Sequence, residues 1–335
     1  MSSRPTIKEV SRIAGVSFKT VSRVLNNEKH VSDATRRRVE EAVAQLNFRP
    51  SHAARTLAGR KSFQVALLYD NPSPYYVYHV QAGAQIACVR HGYRLLHQPC
   101  DLKSPDFVAS VMALVDEAHL DGLIISPPVT DRLDLLDVLD ARGIPYARIA
   151  PGERREAGKS ASMDDVAAAR ELTEYLLELG HRRIAFIKGP DSHASSRDRF
   201  EGYRRALQKE DVAFDAALVV QGRYDFDSGF EATKALLALS ERPTAIFTGN
   251  DEMAAGALAA AHGAGVDVPG QLSIAGFDDT DLARAVWPTL TTVHQPVADL
   301  AMEAADLLLG EQKERHKTLQ HDVKKRDSTG PAPKG

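Results

Sequence analysis

Two groups of polar residues in this sequence have the types and spacing to do chemistry. The first lies in GVSFKTVSRVLNN, residues 15–27, where Phe18, Lys19, Ser22 and Arg23 would stand on the outward side of a short helix. Cationic and hydroxyl side chains presented in this way can meet phosphate and hydrogen-bond to base edges in a DNA major groove. The second group is scattered along the chain: Asp70 and Asn71, with Tyr75, Tyr76 and Tyr78 close behind, then Arg197 and Arg199, Asn250 and Asp251, and Asp278 and Asp279. Gathered at one crevice, carboxylates, an amide, guanidinium groups and aromatic rings suit a polyhydroxylated ligand. Bidentate hydrogen bonds fix its hydroxyls and a ring covers its apolar face. Each member also has a plainer role open to it: Asp251 could cap the helix EMAAGAL, and the tyrosines could be half-buried packing residues.

Apolar spacing predicts the elements that must carry the first group. In TIKEVSRIAGVS, Ile7, Val10, Ile13 and Ala14 recur at helical intervals, and Gly15 can end that helix because a residue without Cβ turns left-handed at little cost. Ser17 suits the N-cap of a second helix whose buried stripe is Val21, Val24 and Leu25. Two short helices joined by a glycine turn make a helix-turn-helix. A third helix follows the cap Ser32, buries Val39, Ala42, Val43 and Leu46, and cannot continue through Pro50. Residues 51–62, SHAARTLAGRKS, hold about two turns of helix, too few to stand alone in water. They read either as a linker or as a hinge that orders against DNA, with Leu57 as an apolar wedge in the minor groove.

Charge divides the chain at the same place. Of 42 Lys+Arg and 45 Asp+Glu, 13 and 5 fall in residues 1–61, leaving 29 and 40 for the rest. A basic head on an acidic body suggests that the head alone meets a polyanion. From Phe63 onward, strand-like runs (FQVALLY, YRLLHQ, DGLIIS, IPYARIA, RRIAFIKG, ALVVQG, TAIFTG, LSIAGF, LTTV) alternate with helical stretches such as DEMAAGALAAAHGAG. That alternation predicts parallel sheets with helices on both faces, in two halves, with any ligand at the carboxyl ends of the strands. The fold class expected is a small all-α helix-turn-helix head plus an α/β body of two doubly wound parallel-sheet subdomains. The expected boundaries are 1–50 for the head, 51–62 for the hinge and 63–329 for the body, with residues 330–335 a disordered tail.

Catalytic signatures are missing. GERREAGKS, residues 152–160, places five residues where a P-loop has four, and SASMDD after it reads as a strand where a phosphate-holding helix is needed. DDTD at 278–281 lacks the central Gly and final Glu of a calcium loop, and there is no GxSxG, no HExxH and no GxGxxG after a strand. The twelve histidines show no ligand spacing, and Cys88 and Cys100 form no CxxC pair. No enzyme activity, metal, cofactor or disulfide is therefore expected. No stretch approaches the roughly 20 apolar residues of a membrane span, and MSSRPTIKEV has no apolar signal region, so a cytoplasmic protein without a membrane partner is expected.

The run from Thr6 to Ser62 resembles the DNA-binding head and hinge of the lactose-repressor (LacI/GalR) family of transcriptional regulators at almost every motif position. The resemblance implies that Phe18, Lys19 and Arg23 read bases and that Thr20 and Ser22 face phosphate. It also implies that Leu57 is the hinge wedge, with Ala54 and Ala58 letting two hinge helices approach. Thr6, Ser17, Asn26 and His30 complete the expected DNA contacts. The Phe18–Lys19 pair departs from the best-known members. The body, through GHRRIAFI, SSRDRFEGYRRAL, TGNDEMAAGAL, SIAGFDDTDLA, PTLTTVHQP and KKRDST, resembles the same family's periplasmic-binding-protein-like effector and dimerisation domain. By that resemblance Arg199, Asn250 and Asp278 fall on effector-contacting positions, Asp164 on a further contact, and Tyr76 on the loop covering the ligand, whereas Arg197 is a neighbour. Asp70 and Tyr75 join them as residues following the first strand. Trp287 stands near the crevice and could stack on a sugar or simply pack.

The expectation is a sequence-specific repressor that binds a palindromic operator as a homodimer under control of a small-molecule, carbohydrate effector. No heptad repeat after Leu309 supports a tetramer. The alternative is a cytoplasmic sugar-binding or sugar-processing protein with an incidental basic head. Duplex binding that weakens steeply with salt separates the two.

Overall fold

The computed structural model describes residues 5–25, 31–46, 48 and 61–333, and the chain divides into two units, Met1–Phe63 and Gln64–Gly335. In the first unit, Thr6 opens α1 (Ile7–Ala14) by donating its backbone N–H and hydroxyl to the Glu9 carboxylate at 2.7 and 3.0 Å. These bonds hold the Glu9 carboxyl below the usual range. Gly15, at φ 63, ends the helix in the left-handed turn its spacing predicts. Ser17 then accepts from Thr20 N at 3.1 Å at the start of α2 (Phe18–Leu25), and Ser32 caps α3 (Asp33–Gln45). The three helices close on Val10, Ala14, Val21, Val24, Val39, Ala42 and Phe48. The hinge residues 51–60 lie outside the described residues.

The second unit holds two sheets. Its strands are β1 (Gln64–Tyr69), β2 (Arg94–Pro99), β3 (Gly122–Ile125), β4 (Tyr146–Ile149), β5 (Lys159–Ser162), β6 (Ile184–Lys188), β7 (Val219–Gln221), β8 (Ala245–Thr248), β9 (Ser273–Asp278), β10 (Thr291–His294), β11 (His316–Thr318) and β12 (Asp322–Lys324). They pair in the orders β11-β5-β4-β3-β1-β2 and β12-β10-β9-β8-β6-β7. All neighbours are parallel except β10 and β12. β3, β4, β8 and β9 are buried along their whole length, as parallel strands covered on both faces must be.

Helices cover each face. α4 (Pro74–Arg90) and α12 (Val297–Leu309) share one core of the first lobe, and α5 (Phe107–Glu117) and α6 (Leu133–Arg142) share the other. In the second lobe, α7 (Asp165–Glu178) pairs with α8 (Ala194–Lys209), and α9 (Phe226–Leu237) with α10 (Asp251–Gly263). A short α11 (Leu282–Ala285) precedes β10. The strand order is the same in both lobes, so both reverse direction at corresponding points, between β1 and β3 and between β6 and β8. Ligands of doubly wound sheets bind outside the carboxyl ends at such points. The chain passes between lobes three times, from β5 to α7, from β10 to α12 and from β11 to β12, so both lobes contribute side chains to one crevice.

Of the tail expected at 330–335, residues 330–333 are among those described, and two of them are held by hydrogen bonds. Ala332 N donates to Leu179 O at 2.8 Å. The carbonyl of Gly330 lies 3.1 Å from Nε2 of His181, a buried ring that also meets Thr244 and Ser273 hydroxyls. Backbone groups need no apolar side chain to be held, and this short Pro- and Gly-rich run carries no other signal.

Candidate functional site

α2 offers one polar side to solvent. Val21 and Val24 turn inward, while Phe18 is 66% exposed and Lys19 and Arg23 are exposed beside it. Thr20 and Ser22 are half-buried, and the Ser17 and Thr20 hydroxyls lie 2.9 Å apart at the helix start. Thr6 is exposed at the N-terminus of α1. A large exposed aromatic next to two cations is suited to a groove carrying both apolar methyls and acceptors. Asn26, His30, Ala54, Leu57 and Ala58 lie outside the described residues.

The crevice is built around Arg199, on the first turns of α8 and buried. Its Nε donates to Asp165 at 2.8 Å, Nη1 to the Gly249 carbonyl at 2.6 Å and Nη2 to Gln295 Oε1 at 3.0 Å. Its guanidinium lies over the Phe277 ring, 3.6 Å from the centroid. Burial opposes its charge, but Asp165, Tyr224 and Asp278 outweigh burial and hold it protonated. Asp278 ends β9 at φ 112, a conformation that strains a residue with a Cβ. One of its oxygens, Oδ1, stands 3.5 Å from Arg199 Nη1, inside ion-pair range but without a hydrogen bond. Burial pushes its carboxyl well above the usual range, more than Arg199 pulls it down.

Around these two groups stand Asn71, Ser73 and Tyr76 from the first lobe and His193, Ser195, Tyr224, Asn250 and Gln295 beyond it. His193 is buried, its ring edge-on to Tyr224 and its Nε2 without a partner. Burial and the Arg199 charge bring it down to about 4, so the ring is neutral near pH 7. Asn250 caps α10: Oδ1 accepts from Met253 N at 3.0 Å, and Nδ2 donates to the Tyr224 carbonyl and Glu252.

Behind the cavity, Asp251 accepts from Thr280 N, the Thr280 hydroxyl and the Thr292 hydroxyl at 2.8, 3.1 and 2.7 Å. Burial nonetheless raises its carboxyl to about 7. A Cβ on Gly276 would collide with this carboxylate, which is why the strand carries glycine there. Glu252 is raised by burial too and accepts from Ser73 Oγ, a bond from one lobe to the other.

The structure thus brings together Tyr76, Arg199, Asn250 and Asp278 of the residues expected to hold an effector. Others stand apart from them. Asp164 is exposed and caps α7 through Ala167 N at 2.9 Å, while its neighbour Asp165 turns inward to Arg199. Asp70 accepts from Leu102 N at 3.4 Å, and Tyr75 is 37% exposed. Neither lines the cavity. Trp287 is 78% exposed and absent from the lining. Ser73, His193, Ser195, Tyr224 and Gln295 line the cavity without having been singled out. The carboxyl-end rule that selected Asp70 applies equally to the segments after β6, β7 and β10, where four of them lie, Ser195 in the first turn of α8.

Comparison with known proteins gives consistent results for both units. Residues 6–51 match the model of bacterial regulatory proteins of the lacI family, and residues 173–329 match that of the periplasmic binding protein-like domain. The chain is 34% identical over 309 residues to the HTH-type transcriptional repressor PurR of Edwardsiella ictaluri (strain 93-146), covering 91% of this chain and 89% of that protein. Among solved structures, a lac repressor dimer bound to operator and the anti-inducer ONPF superposes with TM-score 0.79 at 29% identity, covering 98% of this chain and 100% of that one. The transcriptional regulator CelR in complex with cellobiose superposes with TM-score 0.73 at 30% identity, covering 97% and 100%.

Proposed function

The chain belongs to the lacI family of bacterial regulatory proteins, DNA-binding transcriptional repressors, and from that premise we propose that it grips a near-palindromic operator as a homodimer while a sugar or sugar derivative in the interlobe crevice sets its affinity. In this reading Phe18, Lys19 and Arg23 read base edges, and Thr6, Ser17, Thr20 and Ser22 position the head on phosphates. Arg199, Asp278, Asn250 and Gln295 fix hydroxyls, and Tyr76 and Tyr224 supply apolar faces. The observation that carries the effector half is the buried Asp278 oxygen without a hydrogen bond, in the lining of the crevice beside a guanidinium. Burying an acceptor without a donor is costly, and a ligand hydroxyl supplies the donor.

A ligand can shift DNA affinity only if it binds the two arrangements of the lobes unequally, typically by about 1–3 kcal/mol. The Ser73–Glu252 bond and the rim pairs Arg155–Asp198 and Arg197–Glu153 join the lobes, so a ligand that changes their separation must work against these contacts. The test is a fluorescence-anisotropy titration of operator duplex with the full chain, repeated with sugars that raise its melting temperature. The reading predicts that at least one stabilising sugar alters operator affinity. Stabilising sugars with no effect on DNA binding would leave a sugar-binding protein with an incidental head.

A further inference from the structure

We infer that the crevice selects effectors without a negative charge, neutral polyols or their amino derivatives, and excludes phosphorylated and carboxylated ones. This inference rests on the effector reading above and narrows it. The charged residues lining the cavity are Arg199 and Asp278. Arg199 is largely engaged: three of its five N–H groups donate to Asp165, Gly249 O and Gln295, and its flat face is covered by Phe277. Its charge is matched by Asp165 at 2.8 Å before Asp278 is counted. Asp251 and Glu252, buried next to the cavity, add two further carboxyl groups and no cation.

Two features could favour an anion, and neither suffices. His193 faces the cavity but stays neutral, because burial and Arg199 oppose a second positive charge there. The N-terminus of α8 has no acidic residue in its first turn, but a helix end carries only about half an elementary charge, less than one carboxylate. The first turn of α10 is already occupied by Asp251 and Glu252. Counting Asp165 with Arg199 and Asp278, the cluster is negative if Asp278 is ionised. If it keeps its proton, Asp165 still balances Arg199 and the cluster is neutral. In neither state does a phosphate meet an unmatched positive charge to offset its lost hydration. The unmet need is the reverse, a donor for Asp278 Oδ1.

The test uses matched triads of one sugar skeleton, the parent, its 6-phosphate and its 2-amino form, titrated calorimetrically into the full chain near pH 7, with inorganic phosphate as a separate probe. The inference predicts that the parent or amino member binds at least about tenfold more tightly than the phosphate, and that inorganic phosphate gives no heat assignable to the crevice. A phosphate ester that binds as well as its parent would overturn it. So would inorganic phosphate binding that disappears in Arg199→Met. If no triad member binds, the carbohydrate reading fails and the phosphate probe still decides charge selection: silence supports it and crevice binding refutes it.

Discussion

The head and the crevice use the same kinds of side chain under opposite conditions. On α2 the cations Lys19 and Arg23 lie in solvent beside an exposed Phe18. In the crevice Arg199 is buried, with each nitrogen bonded and an aromatic ring beneath it. Exposed charge is screened by salt, adapts to a flexible polyanion and contributes little to folding. Buried charge is hardly screened, fixes geometry and must be matched. One chain can therefore answer to ionic strength through one region and to the shape of a small molecule through the other.

Salt should give the largest difference. Operator affinity should fall by about a thousandfold or more between roughly 50 and 200 mM salt if the heads together neutralise six or more phosphates. Affinity for a crevice ligand should change little over the same range, and parallel salt slopes in the two titrations would break the comparison.

Removing the two arginines sharpens it. Arg199→Met leaves Asp165 and Asp278 buried without their cation and should destabilise the body by about 3–5 kcal/mol, read from denaturant unfolding. Arg23→Ala should leave folding nearly unchanged and cost about 1–3 kcal/mol on the best operator, with relaxed preference at one base pair. An equal loss on every duplex would make Arg23 a phosphate contact only.

Acid separates the regions by sign. Asp251 sits at about 7 in the fold and near its ordinary 3.8 when unfolded, so between these values the folded chain holds a proton that the unfolded chain has lost. Its contribution is present at low pH and is lost as pH rises towards 7. Melting scans across that window should show a shallower decline with rising pH for Asp251→Asn than for the wild type. Glu9 works the other way: its carboxyl is lowered, so its contribution is lost as pH falls. The smallest effect belongs to the rim, where Arg155→Ala removes a largely exposed pair with Asp198 and should change stability by no more than about 1 kcal/mol.

Much of this was legible in the sequence. Gly15, Ser17 and Ser32 mark the helix ends of the head because caps are local chemistry, nine of the strands announce themselves as short apolar runs, and SASMDD marks β5. β11 and β12 do not, being three-residue edge strands whose pairing depends on distant partners. Asp164 and Asp165 show the limit at the site. Both were visible, but only the fold decides that the cap turns outward and the next residue, a step round the helix, turns in. Trp287 has the side chain to stack on a sugar, and the structure places it in solvent. Tyr224 and Gln295 follow strands as Asp278 does, and their roles depend on how the loops converge.

Selection from a random duplex library by the full chain at moderate salt, followed by footprinting of the enriched sequences, tests the central claim most directly. A two-fold symmetric motif, with one base pair relaxed in Arg23→Ala, is the predicted result. Enrichment of no symmetric motif, or equal retention of all duplexes, would contradict it.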